Sequence, residues 1–176
     1  MISKFTCSRN QLNHFIQKLH AKGTPPIIDY VCELYDVKNF YELQRLIHKY
    51  PGNSIALKPS TLGVRENVSM CIDNMDKLIY DAIQNNCKVY IDAEDHEIHE
   101  KIDELSNHFL YKYNKDRVNV YKTYQMYKKN MITVLKDDLN SNRNYYLGVK
   151  LVRGAYYNLD CSKGVLCSNI EETHQQ

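Results

Sequence analysis

The sequence predicts an α/β fold built as a partial (βα)8 barrel, with about five parallel strands, crossover helices between them and one extra helix ahead of the first strand. Three observations predict it. Short apolar runs begin at positions 27, 54, 88, 118 and 148, at intervals of 27, 34, 30 and 30 residues, the repeat length of a strand plus a crossover helix. The segments between the runs carry apolar residues three and four positions apart, the helical period. No run is followed by the phosphate-cradling G-x-G-x-x-G or G-x-x-x-x-G-K-S/T patterns of open nucleotide-binding sheets, which leaves the TIM-type winding as the better solution.

Taken in order, Ser8 stands where it would cap a helix bearing Leu12, Phe15, Ile16 and Leu19, closed by Gly23 and Pro25-Pro26. Residues 1–23 are therefore read as the extra helix, and residues 24–176 as the barrel segment. The first strand is expected over 27–31. Phe40, Leu43, Ile47 and Tyr50 then share one helix face, and Pro51-Gly52 stops that helix. A second strand over 54–57 leads to the longest stripe of the chain, Val68, Cys71, Met75, Leu78, Ile79, Ala82 and Ile83. The third strand, 88–91, precedes a stripe of Ile98, Ile102, Leu105 and Phe109. The fourth begins at 118–121 and runs on to Tyr124-Gln125, with a helix face of Tyr127, Met131, Val134, Leu135 and Leu139 after it. The fifth covers 148–152. No Gly/Ser linker or composition shift divides these elements. A complete eight-stranded barrel takes about 250 residues, so five units and one further helix account for the 176 present.

Composition narrows the function classes. With 23 Lys and Arg against 21 Asp and Glu, dispersed along the chain, the formal charge of +2 offers no electrostatic footprint for nucleic acid or an anionic membrane. Hydrophobic residues at 43% and charged residues at 25% exclude a disordered chain. No apolar run approaches the roughly 18 residues of a membrane span, and residues 1–8 lack the apolar core of a secretory signal. The expectation is an intracellular chain of unassigned compartment. The six cysteines, at 7, 32, 71, 87, 161 and 167, form no C-x-x-C and have no histidines at zinc spacing, so they read as reduced thiols and no metal site is expected. His96 and His99 fit a helix N-terminus with Asp95, Glu97 and Glu100 rather than a metal pair. Asn67-Val68-Ser69 matches a glycosylation acceptor but falls in the long amphipathic helix.

In a barrel, the side chains at the C-terminal strand ends face the reaction site. Here the second strand ends Ala56-Leu57-Lys58-Pro59-Ser60, the third Ile91-Asp92-Ala93-Glu94-Asp95, the fourth Tyr124-Gln125, and the fifth continues Lys150-Leu151-Val152-Arg153-Gly154-Ala155-Tyr156. Lys150 is a cation flanked by Val149 and Leu151, and burying an ammonium costs several kcal/mol unless an anion compensates it. Lys58 or Lys150 is expected to pair with Asp92 or Glu94. A polar barrel layer that binds nothing would carry the same ion pairs.

These blocks resemble the proline dehydrogenase family. Gly148 and the seven residues Lys150 to Tyr156 are similar to its fifth-strand signature, Ser54-Ile55-Ala56-Leu57-Lys58-Pro59-Ser60-Thr61-Leu62-Gly63 to its second strand, and Ile91-Asp92-Ala93-Glu94 to its third. Thr123-Tyr124-Gln125-Met126-Tyr127 is similar to the fourth, and Ile28-Asp29-Tyr30-Val31 followed by Glu33 to the first, in the same order and spacing. The resemblance implies a flavin-dependent (βα) barrel that oxidises L-proline to pyrroline-5-carboxylate, passing a hydride to the N5 of FAD and electrons to a quinone. It implies Lys150 against the isoalloxazine ring, Gln125 at the ring edge and Arg153 near the cofactor phosphates. It also implies Tyr156 in the substrate pocket, and Lys58 paired with Asp92 near the proline carboxylate. Asp160 stands where the family usually has glutamate, and the chain stops before the three further strands of the family's barrel, with their arginine pair. Eukaryotic members of the family are mitochondrial. The alternative from another class is a non-catalytic remnant or interaction module of the same fold, self-associating through unpaired strand edges or completed by another chain.

Overall fold

The computed structural model describes residues 6–32 and 34–175. Five strands, β1 (Ile27–Ile28), β2 (Ser54–Leu57), β3 (Lys88–Ile91), β4 (Val120–Gln125) and β5 (Val149–Val152), pair in parallel in the order β1-β2-β3-β4-β5. Sequential order with every pair parallel requires a crossover between successive strands, and the sheet curls into a half-barrel with its crossover helices on the convex side. The helices are α1 (Leu12–His20), α2 (Val37–Lys49), α3 (Val68–Gln84), α4 (His99–Tyr113), α5 (Met131–Asn140), α6 (Tyr157–Asp160) and α7 (Ile170–Gln175).

Register sorts the strand residues onto two faces. Ile55 lies opposite Val89, Leu57 opposite Ile91, and Val89 opposite Val120. These five pack with the helices in one core, joined by Cys71, Met75, Leu78, Ile79 and Ala82 of α3, all wholly buried. Burying a side chain of Leu or Ile size contributes about 1.5–3 kcal/mol, so α3 is the main brace of the sheet. The alternate positions, Ala56, Tyr90, Tyr121, Thr123 and Lys150, line the concave face, where Tyr90 and Tyr121 stack at 4.4 Å between ring centroids.

Local chemistry sets the helix ends. Asp36 accepts from the Lys38 N–H at the start of α2, and Asn67 accepts from the Met70 N–H at the start of α3. The Asn67 side chain is thus a helix cap just outside α3 rather than a residue within it. Asn114, wholly buried after α4, donates to the carbonyls of Val120 and Tyr146 at 2.8 and 2.9 Å. Its oxygen accepts from the N–H groups of Asn119 and Val120, tying α4, β4 and the approach to β5 together.

Several expectations are corrected. β1 is two residues long rather than five, because the chain leaves the sheet after Ile28. β4 starts at Val120, two residues later than expected, and β5 starts at Val149. Ser8 does not cap α1 with its side chain; its carbonyl accepts from Gln11 and Leu12, and only Ile16 of that helix is fully buried. In α5 only Met131 and Leu135 are buried, while Val134 and Leu139 face outward because no neighbouring element covers them. Glu33 lies outside the described residues.

Candidate active site

The concave face ends, at its C-terminal rim, in a chain of charged side chains brought from four strands. Lys150 Nζ donates to Asp92 Oδ1 at 2.7 Å, and Lys58 Nζ donates to Asp29 Oδ1 and Oδ2 at 2.8 and 3.0 Å. Alternation explains the convergence: Lys150 lies opposite Thr123 and Ala56 opposite Tyr90, so Lys58 and Asp92, each two residues on, share the inner face. The Asp92 N–H donates to the Leu57 carbonyl at 2.9 Å, which carries the ladder one residue past β3 and fixes the carboxylate. Of the pairings expected of the two lysines, Lys150 with Asp92 is formed, whereas the Lys58–Asp92 pair implied by the resemblance is not, because Asp29 at the tip of β1 takes the Lys58 ammonium.

Burial pushes the Asp92 carboxyl above its ordinary range, and the Lys150 ammonium only partly offsets that. Burial alone would lower the Lys58 ammonium, but the hydrogen bond and charge of Asp29 outweigh it and hold the group above its usual value. Glu94, 4% exposed, accepts from both the backbone N–H and the hydroxyl of Ser60, locking the turn that follows β2 to the end of β3. Its carboxyl is also pushed up by burial, against the Ser60 hydrogen bonds.

Gln125 is 1% exposed, and its Oε1 meets no hydrogen-bond donor among the described residues. It lies opposite Val152, two residues along β5 from Lys150, on the same face. A buried amide oxygen left unpaired costs about 1–3 kcal/mol, a debt that a bound group with a donor would remove. Tyr156, half-buried ahead of α6, has its phenol pushed up to about 12 by burial and then by the charges of the Glu94, Asp92 and Asp95 carboxylates. Arg153 is exposed, and its backbone carbonyl accepts from the Tyr127 N–H at 2.7 Å. Lys58, Asp92, Gln125 and Lys150 thus gather at one rim, Tyr156 lies within the electrostatic reach of its carboxylates, and Arg153 is exposed to solvent.

Sequence reasoning missed the Asp29 partnership and a second buried cation. Lys122, 4% exposed in β4, points to the convex side, where Asp103 lies at 2.6 Å, Asn107 at 3.2 Å and Asp138 at 3.3 Å. Its position between Val120 and the tyrosine at 124 carries the same signal that singles out Lys150.

The chain is similar to known proteins in sequence and in fold. A proline dehydrogenase family model matches residues 14–165. The chain is 39% identical over 88 residues to proline dehydrogenase 1, mitochondrial, of Dictyostelium discoideum, covering 48% of this chain and 15% of that protein. It is 35% identical over 77 residues to the protein of the same name in Caenorhabditis elegans, covering 43% of this chain and 12% of that one. Among solved structures, proline utilization A (PutA) from Bdellovibrio bacteriovorus superposes with a TM-score of 0.79 at 13% identity, over 94% of this chain and 22% of that one. A PutA from Bradyrhizobium japonicum gives 0.71 at 18% identity, over 85% and 19%. At these identities the structural likeness is one of fold. Among the described residues, no helix is long and apolar enough to cross a membrane.

Proposed function

The chain belongs to the proline dehydrogenase family, and on that premise we propose that its concave rim holds FAD and serves the oxidation of L-proline to pyrroline-5-carboxylate, with a quinone as the final electron acceptor. The observation that carries this reading is the inward-facing Lys150–Asp92 pair beside a buried Gln125 oxygen that lacks a donor. A cation and an unsatisfied amide on one wall fit the polar edge of an isoalloxazine ring. Bound there, FAD would supply N5 as the acceptor of a hydride from the ring carbon next to the proline nitrogen.

In this reading Lys150 places positive charge where negative charge accumulates on reduction, and Asp92 holds the ammonium in position. Gln125 orients the ring edge through its carboxamide. Lys58 takes the proline carboxylate, exchanging it against Asp29 in a charge-assisted hydrogen bond, and Tyr156 closes the substrate pocket from the rim. Arg153, exposed just past β5, would serve the cofactor phosphates. The chain spans 12% to 15% of the two curated relatives compared above, so this wall would contribute part of a larger site. The test is an absorption spectrum of the purified chain supplied with FAD. A retained flavin band that bleaches on addition of L-proline is expected, and no retained flavin with no bleaching overturns the catalytic reading.

A second reading, a non-catalytic module that associates through its strand edges, is favoured by one observation. β1 and β5 are the outer strands of the sheet, and Leu151 on β5 is 57% exposed. Co-purification with a chain that carries further βα units would support it, and a monomer at all concentrations in light scattering would refute it.

A further inference from the structure

The chain that leaves β5 does not run directly into a crossover helix. It first folds back over the exit of β4, and one buried carboxylate holds it there. Asp160 is 0% exposed. Its Oδ2 accepts from the Tyr127 hydroxyl at 2.7 Å, its Oδ1 accepts from the His96 N–H at 2.9 Å, and the Lys128 ammonium lies 3.7 Å away. A lone carboxylate in such a place would be costly, but here the hydroxyl, the amide and the cation satisfy both oxygens.

Independent features converge on the same junction. The Tyr127 N–H donates to the Arg153 carbonyl at 2.7 Å, its carbonyl accepts from Cys167 at 2.8 Å, and Lys128 pairs antiparallel with Leu166. Gly154 adopts φ +141°, and a Cβ there would run into the Tyr127 ring, so the ring lies directly against the backbone two residues before Tyr156. The Tyr156 carbonyl in turn accepts from the N–H groups of Leu159 and Asp160 at 3.0 and 2.9 Å. Residues 153–167 therefore form a strap, pinned at Asp160 to the segment between β3 and α4 and to the exit of β4, and Tyr156 rides on it.

We propose that Asp160 is a positioning residue, which through Tyr127 and the His96 amide fixes the turn that presents the Tyr156 phenol to the rim carboxylates. The proposal rests on the reading that places Tyr156 at the site, and it deepens that reading by naming what holds the tyrosine there. Asp160 touches neither substrate nor cofactor in this account.

The test uses the full chain labelled with 3-fluorotyrosine, with the Tyr156 resonance assigned by Tyr156→Phe. In Asp160→Asn and in Tyr127→Phe, the Tyr156 fluorine resonance is expected to move toward the free-tyrosine position. Amide exchange at residues 159, 160 and 165–167 is expected to speed up by about tenfold or more. Global stability alone does not move a fluorine shift, so the resonance separates positioning from simple support of the fold. Should Asp160→Asn fail to fold by circular dichroism, Tyr127→Phe decides the matter, since it removes a single hydroxyl and keeps the ring against Gly154. An unmoved Tyr156 resonance in a folded variant overturns the proposal. The measurement needs neither FAD nor proline, so failure of the flavin reading and failure of the strap would be seen separately.

Discussion

Lys150 Nζ lies 2.7 Å from Asp92 Oδ1, so a single ion pair spans from β5 to β3 across the mouth of β4. Both side chains are mostly buried, at 24% and 16% exposure, and each would be poorly solvated without the other.

Replacing Lys150 by methionine is accordingly expected to weaken FAD retention by about tenfold or more, through loss of a charge-assisted contact. Arg153→Met is expected to cost several-fold less, because a contact made by that solvent-exposed side chain is screened. FAD titration followed by absorbance compares the two, and equal losses would remove Lys150 from its assigned place.

The Lys122 cluster makes a prediction about stability. Lys122→Met leaves Asp103 and Asp138 without their shared cation and is expected to cost about 2–3 kcal/mol, below the full penalty for a broken buried pair because Asp103 is 36% exposed. Urea unfolding followed by circular dichroism measures it.

Acid dependence follows from Asp138. Burial pushes its carboxyl up, but the Tyr124 hydroxyl, Lys122 and Arg143 outweigh burial and hold it below its ordinary 3.8. The folded state therefore prefers the ionised form. That contribution is complete above the unfolded value and is lost as pH falls through it toward the lower folded value. Asp138→Asn should lower the thermal midpoint at neutral pH and flatten its further decline below about pH 4.

Gly154→Ala brings a Cβ against the Tyr127 ring at a backbone angle that L-residues rarely adopt. The expected cost is about 1–3 kcal/mol. Protease cleavage within residues 153–167 should rise well before the rest of the chain is cut.

Leu151→Lys places a charge on the exposed side of the outer strand β5. If the strand edges drive association, the mean mass in light scattering should fall with little change in thermal midpoint.

Much of this was legible in the sequence for a simple reason: strand-to-strand spacing and helical stripes are dictated by local geometry, and α3 shows both with no competing signal. The inner rim was legible wherever a charged residue closed or interrupted an apolar strand, as with Lys58 and Asp92 just past β2 and β3 and Lys150 within β5. Partner choice was legible only in part: the Lys150–Asp92 pair is among those expected, but the partner of Lys58 is not. Asp29 follows a two-residue strand whose end no periodicity marks, so its capture of Lys58 required the curl of the sheet. The α5 stripe was overread because Val134 and Leu139 keep the helical spacing while nothing packs on them. Lys122 and Lys150 share the pattern of a cation in an apolar strand, and only the register with neighbouring strands assigns them to opposite faces.

Asn114 offers a different lesson. Its amide nitrogen meets two carbonyl oxygens while its oxygen meets two N–H groups, so every atom of the carboxamide has a fixed polarity. Aspartate has almost the same shape, yet it would turn two attractions into oxygen–oxygen repulsions inside a sealed space. The seam joining α4 to β4 and β5 is therefore guarded by the identity of one atom, and slow hydrolysis of that side chain would corrupt the joint without altering its outline.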